Sequence, residues 1–144
     1  MATGTITLYP NFKLKVTDGT MDLDSHVYKI ILLNSSHSFN AAHTTLADIT
    51  ANQIATANGY TQNDKTLASV TLNLSSGTVK WDAADVTWTA TGGNITASYA
   101  AIYNDSTTGD LLVASIAFDG GEESAGPGTP FNIAWNANGI VTLA

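Results

Sequence analysis

The sequence predicts an all-β protein: an antiparallel β-sandwich or jelly-roll-like barrel of about eight strands, with one short helix near residues 45–57. Three observations carry this reading. Short apolar–polar alternations recur along the chain and are separated by turn residues, the period-two signature of half-buried strands. Two neighbouring runs, Tyr99-Ala-Ala-Ile-Tyr103 and Leu111-Leu-Val-Ala-Ser-Ile-Ala-Phe118, are apolar on both parities and flank Asn104-Asp-Ser-Thr-Thr-Gly-Asp110, a stretch of turn chemistry. A hairpin greasy on both faces must be covered on both, so it belongs in the middle of a sheet. Its small residues (Ala100, Ala101, Ala114, Ser115, Ala117) let the covering elements approach closely. Finally, the chain has 144 residues and no cysteine. A single domain of that size buries about 68–70% of its unfolded surface and needs no disulfide to hold a core. One domain, residues 1–144, is expected.

In chain order, Ile6, Leu8, Phe12, Leu14 and Val16 share one parity, with Thr7, Lys13, Lys15 and Thr17 on the other. This reads as a strand bulged at Pro10. Asp18-Gly-Thr20 turns the chain, residues 27–33 form a nearly continuous apolar strand, and 34–42 are loop. Thr45 with Asp48 resembles a capping box, after which Leu46, Ile49, Gln53 and Ile54 fall near helical spacing and Asn58-Gly59 supplies a stop. From Leu67 onward the pattern is β. Val70, Leu72 and Leu74 alternate up to a Ser76-Gly77 turn, and Val79 and Trp81 continue beyond it. Val86 and Trp88 alternate again before Gly92-Gly93 leads into the central hairpin. Residues 119–130, rich in glycine and proline, read as loop. Phe131, Ile133 and Trp135 form a further strand, Asn138-Gly139 a tight turn, and residues 140–143 the last strand.

Charge narrows the function. Five lysines and no arginine face twelve acidic residues, a net charge of −7. Clamping phosphates needs Lys or Arg, so neither nucleic acid nor an anionic membrane surface is an expected partner. Only 12% of residues are charged, against about 25% in ordinary soluble domains. A surface of Thr, Ser, Asn and Ala has few long side chains to immobilise at a contact, which suits a protein packed against others. The opening residues, Met1-Ala-Thr-Gly-Thr5, lack the basic and hydrophobic regions of a secretory leader, so synthesis in the cytoplasm is expected.

No residue pattern spells out a reaction. His26, His37 and His43, with Asp22 and Asp24 nearby, match no metal-ligand spacing, and Asp18, Asp22 and Asp24 lack the pattern of a calcium loop. There is no G-x-S-x-G elbow, and no two carboxylates are singled out for acid–base work. No catalytic, cofactor-binding or metal-binding residue is therefore assigned, no cofactor is expected, and the chain is not expected to be an enzyme. Trp81, Trp88 and Trp135, with Tyr60, Tyr99 and Tyr103, would make a sugar-stacking platform if exposed, although alternating Trp residues usually anchor a core.

The phrases His43-Thr-Thr-Leu-Ala-Asp-Ile49, Asn58-Gly-Tyr-Thr61, Ala84-Asp-Val-Thr-Trp-Thr-Ala90, Tyr99-Ala-Ala-Ile-Tyr103 and Asn138-Gly-Ile140 together resemble small virion structural proteins of tailed bacteriophages. The resemblance implies a place on the capsid surface as a decoration or cement protein. Its partner would be the major capsid protein, and it would form a homo-oligomer, with a trimer favoured. No residue role carries over. From the chain itself, the inter-subunit contacts are expected at the first strand (Ile6, Leu8, Phe12, Leu14), since a terminal strand can join a neighbour's sheet edge, and at the 120–130 loop (Pro127, Pro130). The competing expectation is a tail or head-fibre module that binds a host receptor or glycan.

Overall fold

A computed structural model describes residues 2–144 and bears out the all-β class. The elements are β1 (Gly4–Leu8), α1 (Pro10–Thr17), β2 (Tyr28–Leu33), β3 (Thr71–Ser75), β4 (Thr78–Asp82), β5 (Val86–Thr89), β6 (Ile95–Ala97), β7 (Tyr99–Asn104), β8 (Leu111–Phe118), β9 (Glu123–Ala125), β10 (Pro130–Ile133) and β11 (Val141–Leu143). The expected hairpin forms as β7 and β8, the two inner strands of an antiparallel sheet ordered β1-β8-β7-β2. Three smaller antiparallel sheets accompany it: β10-β5, β11-β4-β3 and β6-β9.

The two faces of the central sheet receive different covers. Ile30, Leu32, Ala100, Ile102, Ala114 and Ile116 meet the main core, which the smaller sheets close with Trp81, Trp88, Phe131, Ile133 and Val141. Ile31, Leu33, Ala101, Tyr103 and Leu112 face the other way and are covered by Tyr9, Leu46 and Ile49. A bulge decides which residues go where. Ile102 pairs with Ala114 but Tyr103 pairs with Leu112, so Val113 is the extra residue. Such an insertion reverses side-chain parity beyond it. Leu112 therefore shares a face with Ser115 rather than with Ile116, contrary to strict alternation. The carbonyl of Val113 accepts the Tyr9 amide at 3.0 Å, which gives the bulge a backbone partner.

The first apolar run is not one strand. It is β up to Leu8 and helical from Pro10. Proline at the first helical position has its φ already set and loses no useful donor, while Tyr9 before it is held extended with ψ 135°. The same residues that alternate at period two also fit i, i+4: Phe12 is 1% exposed and Val16 packs beside the core, whereas Leu14 turns outward at 58%.

The helix expected at 45–57 is replaced by two single 3₁₀ turns, Leu46–Asp48 and Thr50–Asn52. The expected start is present, since the Asp48 carboxylate accepts the Thr44 and Thr45 amides at 2.9 Å each. Propagation fails because sheet-edge bonding takes over. Asn52 offers its carbonyl to the Asn34 amide at 2.9 Å, and the Ile54 amide reaches Leu32 at 3.1 Å. Together with the bond from Ile30 to the Lys65 carbonyl, at 3.0 Å, these contacts seal the outer edge of β2. Asn58 (φ 55°) and Gly59 (φ 90°) make a tight turn between Ala57 and Tyr60 rather than a helix stop. The strand count exceeds the expected one because short strands such as β6 and β9 pair where the sequence reads as loop or turn.

Phe12→Ala should lower unfolding free energy by about 3–5 kcal/mol in urea titrations, the usual cost of emptying a sealed aromatic site. Gly59→Ala should also destabilise, since Cβ would collide with the Thr89 carbonyl at a positive φ.

Candidate interaction surface

The sheet β11-β4-β3 carries the most exposed apolar residues. Its register aligns Leu72, Trp81 and Val141 in one row and Leu74, Val79 and Leu143 in the next, all of one parity and so on one face. Trp81 and Val141 of the first row enter the core, where Trp81 is 1% exposed and its Nε1 donates to the Leu23 carbonyl at 2.9 Å, while Leu72 at the row's end stays 40% exposed. The second row overhangs it, with Leu74 exposed at 72% and Leu143 at 39%. Every residue of β3 is exposed.

The β3–β4 hairpin is closed by Ser76 (φ 50°) and Gly77 (φ 81°), a two-residue turn whose twist matches the strands. In such a hairpin the flanking pair Ser75–Thr78 is hydrogen-bonded, and bonding then alternates. Asn73 and Thr71 therefore also bond to β4, while the amides and carbonyls of Leu72 and Leu74 face the open edge. That edge carries no charge, no proline and no bulge, the devices that usually protect one. Beside it, Lys80 pairs with Asp82 at 3.0 Å, so the sheet is locally neutral despite the acidic chain.

The residues expected at contacts are scattered. Ile6 and Leu8 are half-buried on β1, an edge strand tied at its start to β10 by the Ala2 amide and the Asn132 carbonyl at 2.7 Å. Phe12 is sealed in the core and unavailable to any partner, because its stretch is helical. Leu14, Pro127 and Pro130 are exposed but belong to separate elements. Leu72, Leu74 and Leu143 escaped the sequence reading because an overhanging strand shows the same alternation as a half-buried one. The uncharged parity Thr71, Asn73, Ser75 was the available signal.

A second feature lies under residues 34–45. His37, 3% exposed, places Nε2 3.2 Å from Ser115 Oγ. The Tyr9 hydroxyl and His43 Nδ1 are buried nearby without a hydrogen-bond partner. Burial pushes the Tyr9 phenol up to about 12. His37 is held below the ordinary histidine range, first by burial and then by the positive charge of His43. Asp48 is lowered by the Thr45 and Thr44 amides. The signal for this cluster was Ser115, the lone hydroxyl in the run 111–118. The other predicted polar residues hold loops in place. Asp22 accepts from Asp24 and Ser25 amides at 2.8 and 3.2 Å, and His26 Nδ1 lies 3.0 Å from Asn104 Nδ2. Among the described residues no three His, Asp or Glu side chains gather as a metal site.

Of the aromatic residues considered for sugar stacking, Trp81, Trp88, Tyr60 and Tyr103 are all core, at 3% exposure or less. Trp135 is half-buried and spends its Nε1 on the Ala84 carbonyl at 2.9 Å. No helix among the described residues is long and apolar enough to cross a membrane. Comparison with protein-family models, curated proteins and solved structures finds no match to this chain.

Because His37 is neutral when folded and protonates more readily when unfolded, it costs nothing above its ordinary value near 6.5. Below that value the unfolded chain gains a proton that the folded chain refuses, so stability falls as pH drops toward the folded value. Urea unfolding from pH 7.5 to 5 should show this decline, at most about 1.4 kcal/mol per pH unit for one proton, and His37→Gln should flatten it.

Proposed function

We propose that this protein is a structural component of a phage virion that decorates the assembled capsid, with the overhanging leucines of β3 and β11 as its docking anchors. One observation supports this above the others: Leu72, Leu74 and Leu143 lie on one face of a locally neutral sheet and remain 40%, 72% and 39% exposed. Apolar anchors ringed by Thr, Asn and Ser are the composition of a protein contact rather than of a reaction site. The resemblance of the sequence to small virion proteins points the same way.

The mechanism is mass action. A chain that binds only across the junction of neighbouring capsid subunits stabilises the closed lattice, because the composite site exists nowhere else. Repetition over the shell lets modest individual contacts accumulate. The net charge of −7 suits basic capsid patches and disfavours packaged DNA.

Mixed with closed shells of its own phage, the protein should co-sediment with them and not with free capsid subunits. Leu74→Asp should weaken that binding by about tenfold or more while leaving the circular-dichroism spectrum unchanged. Binding to host polysaccharide instead of shells would move the reading to a receptor-binding fibre module.

A further inference from the structure

The open edge of β3 is self-complementary, and we propose that it pairs with β3 of a second copy of this chain across a two-fold axis at Asn73. The strand reads Thr71-Leu-Asn-Leu-Ser75, a leucine on either side of a central asparagine. Laid antiparallel on itself about Asn73, it places Leu72 opposite the second copy's Leu74 and Leu74 opposite its Leu72. These are the two residues whose amides and carbonyls face outward, so each becomes a hydrogen-bonded pair and all four outward groups of each strand are satisfied. Asn73 then faces Asn73 in the non-bonded position on the polar face, where two side-chain amides can bond each other.

Three observations favour a second copy over another occupant. About Asn73 each outward-facing leucine meets a leucine, the self-matched pairing that an isologous C₂ contact uses. The edge bears no charge and the adjacent Lys80–Asp82 pair is neutral, so two acidic chains meet there without local repulsion. The fully exposed strand has no flanking segment to block approach. Pairing β3 with β11 of another copy would engage only three residues and, joining two different edges, would build a head-to-tail chain or ring rather than a closed dimer. The product is a six-stranded sheet, β11-β4-β3-β3-β4-β11, whose overhanging leucines merge into one apolar face. The pairing needs no capsid and is read on the purified chain alone, so it stands or falls separately from virion binding.

Sedimentation equilibrium of the purified protein should give twice the 15.0 kDa chain mass. Leu74→Pro removes an outward donor without touching the bonds to β4, and Leu74→Lys adds edge charge; each should raise the dimer dissociation constant by at least about tenfold. Unchanged emission from buried Trp81 would verify that each variant is folded. The natural chain has no cysteine, so Asn73→Cys gives a single thiol on the axis. Non-bonded antiparallel pairs bring Cα atoms to about 4.5 Å, within disulfide reach, and mild oxidation should cross-link this variant nearly completely. Thr71→Cys, about 14 Å from its symmetry mate, should stay unlinked. A monomer at every concentration, a trimer or open-ended polymer, or a dimer in which Asn73→Cys fails to cross-link would each overturn the proposal.

Discussion

Burying both faces of β7 and β8 dictates where the rest of the chain goes. Ile102 and Ile116 point one way and Tyr103 and Leu112 the other, all essentially sealed from solvent. Each face needs a cover, and exposing either would forfeit about 25 cal/mol for every Å² of apolar surface. The smaller sheets are one cover. Tyr9 and the segment from Leu46 to Ile49 are the other. The chain between β2 and β3 is long because it must cross that second face and then run along the edge of β2.

The same demand accounts for the polar residues held inside. A segment that covers a sheet without being a sheet must leave some polar groups under its roof, and here they are His37, Ser115, Tyr9 and His43. The Ser115–His37 bond satisfies part of that cluster, and a neutral imidazole is the form that burial tolerates. The second cover is thereby tied to pH, whereas the first holds no histidine.

At the far end of the molecule the cover runs out. The β3–β4 hairpin is longer than the core beneath it, so Leu74 and Leu143 project past Trp81 and Val141. Nothing in local propensity demands this, and a strand protected against association would carry a lysine or a proline there. The surface proposed for assembly is thus the place where the sandwich has more strand than interior.

The sequence by itself determined the β class, the central hairpin and its burial on both sides, because a run apolar on both parities has only one kind of home. It also determined the turn at Ser76-Gly77, whose residues tolerate positive φ. Only the tertiary structure decided between strand and helix at 10–17, where Phe12 and Val16 satisfy both periods. It ended the helix expected at 45–57 in favour of hydrogen bonds to the edge of β2, which no local signal encodes. It placed the bulge at Val113 that turns Leu112 to the second face, and it left Leu74 in solvent although its alternation matches that of buried Trp81. Periodicity reports which residues share a face. What lies against that face depends on partners distant in the chain, and those are fixed only when the sheets close.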